Sequence, residues 1–371
     1  MINKTLWTAA LIAATQLACA IAAQDAADDF VVHEWGTFTT FSGSDGVCLP
    51  FRPDSNDLPA FVIRRASLND GWGEAKSAET VSLETPVLYF YSARERTINV
   101  NVAFPRGHVT AVYPPVSEAQ YATMAWEKVR LIPDSTQALP KEEAPSRYYA
   151  ARETDSTPLK IKVDGKTLYE KFLFYRGIGS FDLPVSLKAL GGGKFVVRNA
   201  GENPVAAYFL VHNEGGKIRF VASDSPLEPA EEASVTESTS NSTLENLGEK
   251  VRRALVAGGL YEKEARAMVK TWSSSWFGED GTRLLYVLHT ADADALLPLD
   301  VSPKPDRIVR VMVGRHDILT PEREREIEKW VAQLKSAAAA TAGLSKLGRF
   351  TEPARQQAEH KIEKSQLSAG H

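Results

Sequence analysis

One carboxylate set in an apolar strand face constrains this chain more than any other feature. The stretch Phe30–Gly46, FVVHEWGTFTTFSGSDG, reads as a β-strand ending in a turn rich in Gly, Ser and Asp. Side chains alternate between the faces of a strand, so Phe30, Val32, Glu34, Gly36 and Phe38 share one side. A lone charge among apolar groups is costly unless an opposite charge meets it. Whatever the fold, it has to bring a cation to Glu34.

Two more charges stand on apolar strand faces. Glu84 opens the aromatic strand ETPVLYFY, and Arg176 in FLFYRGIGSF shares a face with Phe172, Phe174 and Ile178. A guanidinium can hold carboxylates through two parallel hydrogen bonds and offset their desolvation. Glu34, Glu84 and Arg176 are therefore expected to meet, with His33, Asp45 and Tyr175 close by. Two carboxylates in unlike environments are what glycoside hydrolysis uses, one as acid and one as base or nucleophile. In that case Glu34 and Glu84 are the catalytic pair, Arg176 orients them, and Trp35 and Trp72 stack on sugar rings. A structural salt-bridge network inside the fold accounts for the same residues and is the commoner fate of paired buried charges.

Other chemistry has weaker support. His33-Glu34, His212 with Glu214, and His316-Asp317 pair metal-ligand residue types, so a metal-dependent hydrolase built on His33 and a distant histidine is a third possibility. None of these pairs has the helical spacing of HExxH, and no CxxC occurs, so no metal site is assigned. A GxSxG elbow is absent. LGGGK at Leu190–Lys194 fails the spacing of a phosphate loop and reads as a β-turn. Trp272 and Trp276, one helical turn apart, read as core.

Met1–Ala23 has the three parts of a secretory signal: Lys4, the apolar run Leu6–Leu17, and the A-x-A site Ala20-Ile21-Ala22. Export to the periplasm or beyond is expected, with lipid anchoring through Cys19 the weaker alternative because Gln16 stands where Leu is usual. No later run is long and apolar enough for a transmembrane segment. Cleavage leaves Cys48 as the one cysteine, which rules out an internal disulfide; beside Leu49, Pro50 and Phe51 it reads as a half-buried structural thiol. A formal net charge of −4, with no basic run outside the polar C-terminal tail, argues against a nucleic-acid partner.

The 371 residues suffice for one large domain or two ordinary ones. Short strands broken by turns run from Phe30 to about Ser225, and Thr97–Phe104 and Leu159–Val163 alternate as half-buried strands do. Asp164-Gly165 is a hairpin signal, and Ser117–Val129 is expected to be a helix. Residues 228–243 are acidic, Ser/Thr-rich and poor in apolar side chains, which predicts a linker. Helices follow at 244–257, opened by a capping box of Ser242 and Glu245, at 261–277, and after Thr320-Pro321. Strands are expected at Arg283–His289 and Arg307–Arg315. The fold class is thus α+β: a β-rich sandwich or jelly-roll-like domain over 24–227, the linker, a smaller αα-ββ-α unit over 244–335, and a polar, largely disordered tail over 336–371.

HEWGTFT with its Gly43-Ser44-Asp45-Gly46 turn, ETPVLYFY, FYRGIG and the later TW…SWF…GTRLLYVL together resemble a family of uncharacterised secreted bacterial proteins. The matching segments span Val32 to about Glu322. The resemblance implies export and a shared fold, but no activity, cofactor or catalytic residue. The function expected is that of a non-catalytic envelope or extracellular protein with a carbohydrate or protein ligand; the alternatives are the paired-carboxylate polysaccharide hydrolase and the metal-dependent hydrolase.

Overall fold

The structure is a computed structural model that describes residues 29–51, 58–64, 81–143, 146–163, 165–334 and 338–369. The signal segment with Cys19, Trp72 and Asp164 lie outside the described residues. Strands in the first half are β1 (Val31–Ser42), β2 (Ile63–Arg64), β3 (Val81–Tyr91), β4 (Arg96–Ala103), β5 (Gly107–Tyr113), β6 (Glu118–Ala119), β7 (Thr123–Leu131), β8 (Leu159–Val163), β9 (Lys166–Glu170) and β10 (Leu173–Gly179). Then come β11 (Val185–Gly191), β12 (Lys194–Asn199), β13 (Tyr208–Glu214), β14 (Lys217–Ala222), β15 (Glu232–Thr236), β16 (Gly281–Leu288), β17 (Leu299–Ser302) and β18 (Arg307–Ile318). The helices are α1 (Leu244–Ala257), α2 (Glu262–Trp276), α3 (Thr290–Leu296), α4 (Pro321–Gln333), α5 (Ala338–Ser345) and α6 (Thr351–Ala369).

Among the described residues these strands form one nine-stranded sheet, ordered β14-β13-β16-β18-β1-β3-β10-β5-β2, and smaller sheets of six and three strands. β1 lies at the middle of the large sheet, parallel to β18 and antiparallel to β3. All twelve of its residues are buried, because both faces of the sheet are covered. On one face, Phe30, Val32 and Phe38 share a core with Val100 and Trp126 of the six-stranded sheet and Leu187 and Val197 of the three-stranded sheet. On the other, Trp35 packs in a core with Leu247 and Val251 of α1 and Met268, Trp272 and Trp276 of α2. The result is a three-layer α+β architecture, two sheets with the short α3 on one side of the central sheet and α1 and α2 on the other.

Several expectations are corrected. The division at residues 228–243 fails, because β16 and β18 from the supposed C-terminal unit belong to the same sheet as β1. Nor is 228–243 a linker: β15 within it pairs with β12, and its composition is that of an edge strand needing only one buried residue, Val235. Ser117–Val129 contains β6 and β7 instead of a helix. There Met124 and Trp126 are buried at spacing two, and a left-handed Lys128 (φ 53°) breaks the alternation that marks a strand before Val129. α1 is capped one residue later than expected, by Thr243 accepting from the Asn246 N–H. α3 and β17 lie between β16 and β18 in the chain, and those two strands pair antiparallel in the large sheet. Gly191, Gly192 and Gly193 all take positive φ in the turn between β11 and β12, consistent with a β-turn and not a phosphate loop.

The described residues of the tail, 338–369, are largely helical rather than disordered. α5 and α6 close a third core around Phe41, Leu319, Ile327, Leu344, Phe350 and Ala354, with Phe350 stacked on Phe41 at 4.4 Å between ring centroids. α6 was missed because small alanines bury its inner face and leave no large apolar stripe. Phe350→Ala is expected to cost about 3–5 kcal/mol of unfolding free energy, the usual loss for emptying a buried aromatic site. Denaturant titration of the two proteins measures it, and equal midpoints would mean the tail does not pack.

Candidate functional site

The parallel register of β1 and β18 sets Glu34 beside Arg310. Arg310 Nε donates to Glu34 Oε2 at 2.6 Å, and the Tyr175 hydroxyl donates to Glu34 Oε1. Glu34 and Tyr175 are fully buried and Arg310 is 2% exposed. Arg310 Nη1 reaches Asp294 Oδ1 at 2.8 Å and the Ala293 carbonyl at 3.3 Å, both on α3. Burial works against the charge on Arg310, but Glu34, Tyr175 and Asp294 outweigh it and hold its pKa above the ordinary value. Burial first, then the Glu34 carboxylate, push Tyr175 far above the usual phenol range, so it remains a hydrogen-bond donor. Among the described residues, Arg310 Nη2 has no partner. Arg310 also lines a cleft of about 330 Å³ with Thr290, Asp294, Pro298, Leu299 and Ile308.

Arg176 is not the cation that reaches Glu34. Tyr175 and Arg176 are consecutive on β10 and point to opposite faces. Tyr175 turns toward Glu34, while Arg176 pairs in register with Ala111 in the helix-side core and donates to the Tyr148 hydroxyl at 3.0 Å. Glu84 instead takes the guanidinium of Arg349, from the short turn ahead of α6. Glu34 and Glu84 are at most 3% exposed, each paired with a different arginine. This is not the open cleft with facing carboxyls that glycoside hydrolysis needs.

The remaining expected residues scatter. His33 Nδ1 pairs with Glu264 Oε2 at 2.7 Å, and Glu264 also accepts from the Tyr91 hydroxyl and the Tyr261 N–H. Trp35 is fully buried against Tyr89, so it is core and not a sugar platform. Asp45 is exposed and accepts from the Val47 N–H within its own turn. Cys48 is exposed, not half-buried. Among the described residues no three His, Cys, Asp or Glu side chains gather as a metal site. A second cavity, lined by Phe61, Tyr113, Phe172 and Phe174, has about 20 Å³ of free volume, room for one water.

β18 carries a second buried charge cluster. Asp317 accepts from Arg315 Nε at 2.6 Å and Arg283 Nε at 2.9 Å. The same arginines donate to the Ser275, Trp276, Glu279 and Asp280 carbonyls, so they also cap the C-terminal end of α2. Burial raises the pKa of Asp317, and the two guanidiniums more than reverse this, holding it well below the usual carboxylate range. Arg310, Arg315 and Asp317 had the same signature in sequence as Glu34: ionisable residues in an apolar strand, RIVRVMVGRHDI. Applied to β18, that signal would have found them.

No protein-family model matches the chain, and no curated protein does either. Among solved structures, the mu-homology domain of yeast delta-COP-I is similar with a TM-score of 0.34 and 7% identity, covering 78% of this chain and 98% of that one. The Fcho1 mu-homology domain from Danio rerio gives a TM-score of 0.28 at 7% identity, with 79% and 94% covered. Likeness at this level transfers no function to this chain.

His316 yields a pH prediction. Its ring nitrogens bond Thr40 and Ser42 at 2.9 and 2.7 Å, and burial pushes its pKa down to about 4. The unfolded chain takes up this proton near pH 6.5, which the folded chain refuses until about pH 4. Stability therefore falls as pH drops through that window, by up to about 3 kcal/mol. Asp317 adds its loss only below the unfolded carboxylate range. Urea titrations between pH 7 and 4 should show the fall, and His316→Gln should flatten it; an unchanged slope in the variant would contradict it.

Proposed function

We propose that this chain is an exported, non-catalytic binding protein of the cell envelope or extracellular space, with a carbohydrate or protein ligand. The observation that carries this reading is the contrast between its carboxylates and its cleft. Glu34 and Glu84 are sealed and ion-paired, so neither is placed to exchange protons with a bound glycan. Arg310, Thr290 and Asp294 line a cleft with Pro298, Leu299 and Ile308, and the Asp294 carboxylate at its rim is 58% exposed. Convergent polar groups beside apolar walls are the usual make-up of a recognition site. The leader-like segment Met1–Ala23 supports export.

Immobilised protein incubated with purified envelope polysaccharide and envelope protein extracts is expected to retain one of them. The same incubation should generate no new reducing ends and no cleaved peptide. Steady release of either product would contradict a non-catalytic role, and failure to retain any glycan or protein would contradict binding.

A further inference from the structure

We propose that the outward side of the β8–β9 hairpin binds an acidic polysaccharide, an inference that rests on the binding role above and narrows it to one ligand class. Strand pairing assembles the patch. Lys160 stands opposite Tyr169 and Lys162 opposite Thr167, so two cations, a phenol ring and a hydroxyl share one face of adjacent strands. The alternate residues Leu159 and Ile161 are buried in the core, which turns these four outward. On the neighbouring strand β7, Arg130 lies opposite Lys160, and Thr97 of β4 lies opposite Arg130. No basic run in the sequence marks this arrangement, because its cations come from separate strands.

Charge points to an anion. Arg130 Nη2 donates to Glu95 Oε2 at 2.6 Å. In the chain, Glu127 stands beside Lys128 and offsets it, and Asp164 between β8 and β9 offsets Lys166. Lys160 and Lys162 are left over: among the described residues neither is ion-paired, and Lys162 is exposed. Lys160 also faces Arg130 directly, and like charges opposite each other cost stability that a bound anion restores. In a chain of net charge −4 this local surplus draws an anionic ligand to the hairpin.

The make-up of the face narrows the anion to one class. Among the described residues no large apolar side chain is exposed on β4, β7, β8, β9 or β17. A protein partner buries an apolar core at its interface, and a membrane surface takes inserted apolar side chains, so both lack a counterpart here. A single-stranded nucleic acid stacks its bases on several aromatic rings, and Tyr169 is the one such ring on the outer side of these strands. An acidic sugar chain uses what the face does offer. Its carboxylates take the Lys160 and Lys162 ammonium groups, the C–H side of a ring packs on Tyr169, and its hydroxyls meet Thr167.

The test uses the intact chain and calorimetric titration with polygalacturonate as the acidic polysaccharide and dextran as the neutral one. Poly-L-glutamate, polythymidylate and phosphatidylglycerol vesicles stand for the other polyanions. Polygalacturonate should bind, more weakly as salt is added, with dextran at least tenfold weaker. The double variant Lys160→Glu, Lys162→Glu and the single variant Tyr169→Ser should each weaken it tenfold or more, with thermal unfolding matching the parent. Glu127→Lys, which adds a cation at an exposed position of β7, should tighten binding, an outcome that a damaged fold does not produce. Dextran binding as tight as polygalacturonate, or polygalacturonate binding indifferent to all three variants, overturns the proposal. Equal or tighter binding of poly-L-glutamate, polythymidylate or the vesicles overturns the polysaccharide in favour of that partner. Silence from every probe overturns it too, and the retention experiment then decides the binding role separately.

Discussion

The ion pair between Glu34 and Arg310 is the interaction on which the rest of the arrangement depends. A fully buried carboxylate and a guanidinium 2% exposed are separated by 276 positions in the chain. Removing either from water without the other is prohibitively costly, so the central strand cannot settle until the strand nearest the C-terminal helices lies beside it. Parallel pairing of β1 and β18 satisfies that demand and commits both ends of the chain to one sheet.

The same solution recurs around the sheet. Asp317 is held by Arg315 and Arg283, which extend to the end of α2. Glu84 is held by Arg349, which draws the last helices onto the sheet end. His33 is held by Glu264 of α2. Glu84 and His33 are matched by residues far away in the chain, on a turn and a helix, and Asp317 by one arginine of its own strand and one of β16; these contacts tie the layers together. Arg310 also lines a cleft whose rim carries the exposed Asp294 carboxylate.

Much of the local structure was legible in the sequence. β1, β3, β4, β8, α1, α2 and α4 follow from alternation, helical period and caps. The need of Glu34 for a cation was legible too. Its partner was not, because pairing is set by strand order and facing, which alternation within one strand does not encode. Arg176 had the right chemistry, but its neighbour Tyr175 faces Glu34, so Arg176 itself faces away. β15 was hidden because an edge strand can be polar, and β7 because Lys128 interrupts its period. The domain boundary was misplaced for the same reason as the partner: a break in composition carries no information about which strands later share a sheet.

A double-mutant cycle on Glu34→Gln and Arg310→Met, read by equilibrium unfolding, tests the central pairing most directly. If the two are sealed partners, the second substitution costs far less in the presence of the first, and the coupling energy is about 2–3 kcal/mol. Additive costs, with coupling near zero, would mean that each charge is solvated alone and that the joining of β1 to β18 is wrong.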